Sequence, residues 1–177
     1  MKKFRLLLLD ANVVIDLFAR GLWEVALDRC EVYLAETVVG EAHFYSDDAG
    51  VRHDFNLKEY ASQGRLTVFS VLPSELVSFK GLFDPVYLEK LDPGETESLA
   101  LLLKEREQKF RLCSADKIVY RILGALQLRE RGVSLEEVLQ EIGYARPLPY
   151  HLTKAYREKW TTKGFTEGFT GMGLRKP

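Results

Sequence analysis

Short hydrophobic runs alternate along the chain with segments that have helical spacing. The first run consists of four leucines at positions 6–9, directly before Asp10. An unbroken apolar run of this kind is typical of a strand covered on both faces, as in a parallel sheet between helices. Strand patterns are predicted at 4–9, 30–35, 65–72 and 109–114.

Helical patterns fill the segments between these strands. They cover 13–18, 23–29, 38–46 with Thr37 as its cap, 55–61, 74–80, 85–91, 93–107, 115–132 and 134–143. Two of them carry cap signals, Asp92 before Pro93 with Glu95 three residues later, and Ser134 with Glu137. The alternation predicts an α/β protein with a three-layer α/β/α fold, a central, mainly parallel sheet of four or five strands, and a helical C-terminal extension.

Length and composition favour one hydrophobic core. The chain has 177 residues, of which 46% are hydrophobic, which suits a single domain better than two. We expect that domain over 1–143 and a C-terminal extension over 144–177. From Thr161 onward the extension holds four glycines among aromatic residues, a composition typical of a loosely held tail.

The apolar runs are too short for a membrane span. The longest, 6–9 and 99–103, fall far below the roughly 20 residues that cross a bilayer, and the basic start of the chain precedes too few apolar residues for a secretory signal. We therefore expect a cytoplasmic protein without membrane contact. Cys30 and Cys113 lie in strand-like stretches without partners at metal-ligand spacing, which predicts reduced, buried thiols and argues against zinc.

Charge is unevenly distributed although the net charge is only −1. Residues 1–103 carry 10 basic and 17 acidic side chains, a net −7, whereas residues 104–177 carry 15 and 9, a net +6. A basic half suits a phosphate backbone and an acidic half suits cations, although an ordinary solvated surface explains the asymmetry equally well.

Four acids fall where predicted strands meet predicted helices: Asp10, Glu41, Glu97 and Asp116. Because the carboxyl ends of parallel strands share one edge of a sheet, where ligand crevices form, we expect these side chains to converge. Mg²⁺ and Mn²⁺ prefer carboxylate oxygens, and clustered carboxylates without a cation repel one another. The pattern therefore predicts a site for one of these divalent ions.

Three of these four acids also have a purely structural explanation. Asp10 and Asp116 suit a helix cap or first turn, and Glu97 suits a solvated helix face. Asp92 and Glu95 are explained by the capping box alone.

Two basic residues lie beside the last of these acids. Lys117 and Arg121 are four residues apart on one predicted helix and are candidates for phosphate contacts, although a solvated face explains them as well. Tyr120 shares that side and is a candidate for stacking on a base.

Four segments, in chain order, resemble the acidic motifs of the PIN-domain family, whose members include VapC-type toxin ribonucleases: LLLLDANVVIDLF, ETVVGEAHFY, LDPGETESLALLL and FRLCSADKIVYRI. The resemblance implies an α/β/α domain that holds one or two Mg²⁺ or Mn²⁺ ions. It further implies an endoribonuclease, either the toxin of a toxin–antitoxin pair or a solitary RNA-processing enzyme, in which a metal-activated water hydrolyses RNA to 5′-phosphate and 3′-hydroxyl ends.

Carried over by position, the resemblance makes Asp10, Glu41, Glu97 and Asp116 the catalytic, metal-binding acids. It gives Asn12 and Ser114 the polar positions that steady the acids or the scissile phosphate. Many relatives carry Asp where this chain has Glu97 and Thr where it has Ser114, and they add a fifth strand where this chain continues a helical pattern. The resemblance also implies a homodimer and an antitoxin protein as partner.

Other classes of protein fit the sequence less well. A haloacid-dehalogenase-like phosphatase requires a second Asp where this chain has Asn12, no glycine-rich phosphate loop occurs, and no histidine is placed for a Ser-His-Asp triad. A non-catalytic RNA-binding or scaffold protein on the same fold remains the alternative, because no sequence motif demonstrates turnover.

Overall fold

A computed structural model describes residues 4–175; residues 1–3 and 176–177, which belong to the predicted domain and tail, lie outside the described part. The strands are β1 Phe4–Leu9, β2 Cys30–Ala35, β3 Phe44–Ser46, β4 Arg52–Asp54, β5 Thr67–Phe69, β6 Arg111–Cys113 and β7 Gly132–Val133. The α-helices are α1 Ala11–Ala19, α2 Trp23–Arg29, α3 Glu36–Glu41, α4 Leu57–Ser62, α5 Pro73–Gly81, α6 Pro85–Leu88, α7 Pro93–Lys104, α8 Lys117–Ala125, α9 Leu135–Glu141 and α10 Lys154–Phe169.

Five strands form one parallel sheet in the order β5-β2-β1-β6-β7. In its centre Leu8 of β1 lies opposite Tyr33 of β2 and Leu112 of β6. Helices cover the sheet, so the predicted three-layer α/β/α fold is confirmed. Strands β3 and β4 pair antiparallel as a separate hairpin that the hydrophobic pattern did not predict.

The leucine run feeds two cores, one on each face of the sheet. Leu8 and Leu9 are both fully buried, and successive side chains of a strand point to opposite faces. Leu9 packs in the cluster that contains Val13 and Leu139, whereas Leu8 packs in the cluster that contains Ile122. The prediction of a strand covered on both faces is therefore confirmed.

The chain after Asp116 differs from the predicted continuous helix over 115–132. Helix α8 begins at Lys117 with Asp116 as its N-cap, ends at Ala125, and is followed by strand β7, the fifth strand of the sheet. The break comes at Gln127, which adopts φ +59°, a left-handed conformation that usually marks helix ends at glycine. Since no glycine stands there, the sequence pattern gave no stop signal.

Residues 161–169 of the glycine-rich tail are helical and packed against α8, so the prediction of a loosely held segment is wrong for them, while the helical extension is confirmed. A Cβ atom on Gly164 of α10 would lie 1.9 Å from the Arg121 carbonyl oxygen of α8, and one on Gly124 would lie 2.1 Å from that of Thr161. The two helices thus touch backbone to backbone. An ion pair between Arg121 and Glu167 also joins them.

Smaller corrections concern helix ends. Helix α3 follows Ala35 and ends at Glu41, so the predicted helix over 38–46 capped by Thr37 is wrong. Both predicted capping boxes, the first opening α7 and the second opening α9, are confirmed. Among residues 4–175 no helix has the length and apolar character needed to cross a bilayer.

Candidate functional site

Asp10 lies at the carboxyl end of β1, where its side chain joins β1 to the end of β6. The backbone N–H of Val13 donates to its Oδ1 at 2.8 Å, and the N–H of Ala115 donates to its Oδ2 at 2.9 Å. The residue is 2% exposed. Burial raises the pKa of Asp10 above its ordinary value, although both N–H groups oppose the shift.

The turn after β6 places two further polar residues at the same edge. The Ser114 hydroxyl accepts a hydrogen bond from the backbone N–H of Asp116 at 2.9 Å. The Asp116 carboxylate then caps α8 by accepting from the N–H of Ile118 at 2.9 Å. The predicted capping role of Asp116 is therefore confirmed.

Glu95, at the start of α7, is the third acid of this edge. It is 3% exposed, and its Oε1 accepts a hydrogen bond from the Ser114 hydroxyl at 3.3 Å. Burial first, and then the carboxylates of Asp92, Asp10 and Asp116, raise the pKa of Glu95 to about 8. We call Asp10, Glu95 and Asp116 the acidic edge.

Sequence reasoning assigned Glu95 to the capping box, and that role is present. The N–H of Glu95 donates to Asp92 Oδ1 at 2.8 Å, while the N–H of Asp92 donates to Glu95 Oε2 at 3.3 Å. The capping role alone gives no reason to place Glu95 at the site. Its second oxygen faces Ser114, which only the fold shows.

The two remaining predicted acids lie apart from these contacts. The Glu97 Oε2 accepts a hydrogen bond from the Thr37 hydroxyl of α3 at 2.7 Å, and Glu97 lines a groove between α5 and α7. Glu41 is the last residue of α3 and is exposed. Among the described contacts, neither glutamate reaches the acidic edge.

Two of the predicted substrate-binding residues are exposed near the acidic edge, whereas a third is held in an ion pair. Lys117 is exposed at the first position of α8, beside Asp116, and Asn12 is exposed in the first turn of α1. Arg121 instead donates two hydrogen bonds to Glu167, at 3.0 and 2.9 Å, so a phosphate contact would have to compete with this pair.

Tyr120 is buried, which contradicts its predicted role in base stacking. It is 1% exposed, and its hydroxyl donates to the backbone carbonyls of Ser114 at 2.6 Å and Val133 at 3.0 Å. Tyr120 therefore ties the end of β6 to β7.

The carboxylate oxygens of the acidic edge suit a hard cation, but their spacing does not provide three ligands for one ion. Within residues 4–175, no three His, Cys, Asp or Glu side chains stand close enough to hold one metal ion jointly. Mg²⁺ commonly binds through one or two carboxylates and keeps several waters, and Asp10 accepts from the N–H of Ala115, the residue directly before Asp116. Burial is the main reason for the raised pKa of Glu95, and the repulsion from neighbouring carboxylates that adds to it is what a cation would relieve.

Comparison with known proteins adds no assignment to these residues. No family model, no curated protein and no solved structure matches the chain. The chemistry open to this edge of the sheet therefore has to be argued from its own side chains.

Proposed function

We propose that this chain is a divalent-metal-dependent endoribonuclease of the PIN type. The observation that carries the proposal is that Asp10 accepts from the N–H of Ala115, the residue before Asp116, while Glu95 accepts from the Ser114 hydroxyl of the same turn after β6. Ligands of open α/β sheets bind at the carboxyl ends of the strands. Three acids at this edge, one of them with its pKa raised to about 8, suit metal-assisted hydrolysis better than packing alone.

Asp10 and Asp116 are the residues that would hold a Mg²⁺ or Mn²⁺ ion, with Glu95 beside them and with Glu41 and Glu97 as the further acids that the PIN resemblance implies. Such an ion would supply a bound water of lowered pKa and positive charge next to the scissile phosphate. No side-chain nucleophile is then required.

The protein's own contribution is positioning. Two backbone N–H groups fix both oxygens of Asp10, and the Ser114 hydroxyl links Glu95 to the N–H of Asp116. These bonds hold the acids in place before substrate binds. Lys117, exposed beside Asp116, would contact a substrate phosphate, and Asn12 would line the same approach.

The proposal is tested with end-labelled single-stranded RNA, incubated with Mg²⁺ or Mn²⁺ and separately with EDTA. We expect cleavage that EDTA abolishes and that Asp10→Asn lowers at least about 100-fold. Asp48→Asn, in an exposed turn, is the matched control and should cleave like wild type. Cleavage that survives EDTA, or that survives Asp10→Asn in a folded protein, contradicts the proposal.

A matched pair of variants decides which glutamate of α7 serves the site. Glu95 contacts Ser114, whereas Glu97 contacts Thr37. We expect Glu95→Gln to reduce metal-dependent cleavage more than Glu97→Gln. The reverse order would return the third acidic position to Glu97, as the resemblance alone implies.

A second candidate function is non-catalytic RNA binding or scaffolding. The observation in its favour is that both oxygens of Asp10 and one oxygen of Asp116 already accept backbone N–H bonds, so a structural role accounts for both residues. A purified chain that binds RNA equally well with or without Asp10→Asn, and never cleaves it, would establish this second function.

The PIN resemblance also supplies proposals about partners and location. We propose a homodimer, an antitoxin protein as inhibitor, and a cytoplasmic site of action. Light scattering on the purified chain tests the dimer. Relief of growth arrest by a co-expressed neighbouring gene product tests the antitoxin.

A further inference from the structure

Three exposed lysines surround one tryptophan where α10 crosses the start of α8. The ammonium groups of Lys117, Lys159 and Lys163 lie 5.4, 5.2 and 5.4 Å from the centroid of the Trp160 ring. All three lysines are exposed, and Trp160 is half-buried. We call these four residues the lysine patch.

The three lysines of the patch form no ion pair among the described residues. Glu158 of α10 lies 3.7 Å from Lys154 and 3.6 Å from Arg157. Glu167 binds Arg121 directly and is influenced by the charge of Lys163 only at longer range. Cations gathered around one ring repel one another, so an anion with several charges is the ligand that suits them.

The patch is continuous with the acidic edge. Lys117 directly follows Asp116. The backbone N–H of Lys117 faces the Tyr156 hydroxyl, and the centroid of the Tyr156 ring lies 6.1 Å from that of Trp160. On the other side Tyr150, which is 56% exposed, meets Tyr156 edge-on at 5.4 Å.

We infer that the lysine patch binds the phosphate backbone of single-stranded RNA and leads the strand to the acidic edge. Positive side chains along a groove, interleaved with aromatic rings, are the features that bind single strands without sequence preference. Tyr150 is the exposed ring that can stack on a base next to the site. This inference rests on the proposed nuclease function for the strand's destination, but its binding step is independent of cleavage.

The test is the binding of a fluorescein-labelled RNA of about 12 nucleotides, measured by anisotropy in EDTA so that no cleavage occurs. We compare wild type with Lys159→Gln/Lys163→Gln over a range of salt. The control is Lys58→Gln/Lys109→Gln, which removes two exposed lysines elsewhere on the surface.

Loss of two phosphate contacts should make the slope of log affinity against log salt less negative by about 1.4, with affinity on the order of 10–30-fold lower near 0.1 M salt. The control should bind as wild type does. Tyr150→Leu should weaken binding while leaving the salt slope unchanged, because stacking releases no counterions.

Equal binding by wild type and Lys159→Gln/Lys163→Gln overturns the inference, as does a wild type that does not bind RNA at all. Binding to vesicles containing phosphatidylserine, with RNA binding unchanged in the lysine variant, also overturns it in favour of a membrane surface. Failure of the nuclease proposal is distinguishable, since it gives RNA binding that depends on the patch but no cleavage with Mg²⁺ or Mn²⁺.

Discussion

Replacing Glu95 with glutamine removes the titrating group of the acidic edge at the cost of one acceptor oxygen. Glutamine keeps the size of the side chain and an oxygen for the Ser114 hydroxyl, but removes the titration. In the folded protein, burial and the neighbouring carboxylates raise the pKa of Glu95 from 4.5 to about 8. In the unfolded chain the carboxyl returns to its ordinary value.

The sign of the pH effect follows from proton binding. The folded state holds the Glu95 proton more tightly than the unfolded state, so its contribution to stability is fully present below about pH 4.5. It is lost as the pH rises through about 8, because the unfolded state releases its proton first. The full shift corresponds to a loss of up to about 5 kcal/mol of unfolding free energy.

The measurement is urea denaturation of wild type and Glu95→Gln from about pH 4 to pH 9. We expect the stability of wild type to fall relative to that of Glu95→Gln across this range, by several kcal/mol in total. Glu107→Gln, at an exposed position, should follow wild type. Parallel curves for wild type and Glu95→Gln would refute the placement of Glu95 among buried carboxylates.

Divalent metal should reverse part of this loss. A cation bound at the acidic edge favours the charged form of a neighbouring carboxyl and stabilises the folded state by mass action. At pH 8, Mg²⁺ should therefore raise the Tm of wild type more than that of Asp10→Asn. An equal response in both proteins would place any bound ion elsewhere on the surface.

Three further changes test the packing that supports the site. Gly164→Ala should lower the Tm by about 3–10 °C, because the added Cβ would meet the Arg121 carbonyl oxygen of α8. Gly40→Ala, in a helix with open space around the residue, should raise the Tm by about 2–4 °C. Equal effects of the two changes would contradict the close helix contact. Tyr120→Phe should cost about 1–3 kcal/mol in urea denaturation, because two buried carbonyls lose their donor. Glu167→Gln should cost about 1–3 kcal/mol in the same measurement, because the half-buried Arg121 loses its charged partner.

Hydrophobic runs and caps predicted much of this fold. The leucine run predicted β1 as a strand covered on both faces, and the capping box of Asp92 and Glu95 predicted the start of α7. Strands β3 and β4 could not be predicted from the sequence, because each has only three residues, mostly exposed and without apolar alternation. Strand β7 could not be predicted because the helix before it ends without a glycine: Gln127 makes the left-handed turn after α8.

The prediction of a loose segment failed for residues 161–169 because glycine has two opposite effects on a helix. In isolation glycine weakens a helix, so four glycines near the end of the chain predicted a loose tail. Gly164 and Gly168 are four residues apart, however, and therefore lie on one face of α10, where both come within contact distance of the α8 backbone. The same glycines that lower helix propensity let the extension dock, and this docking places Trp160 beside Lys117.

The sequence motif does not distinguish Glu95 from Glu97 as the third acid of the site. Glu95 and Glu97 are two residues apart, so about 200° of helix rotation separates them and they point to nearly opposite sides of α7. Both lie in one motif, and a capping role for Glu95 leaves Glu97 as the natural candidate from sequence. In the fold, α7 turns Glu95 toward Ser114 and Glu97 toward Thr37. Glu95 thus caps its helix with one oxygen and faces the acidic edge with the other. The capping interaction therefore positions Glu95 at the site and does not compete with a role there.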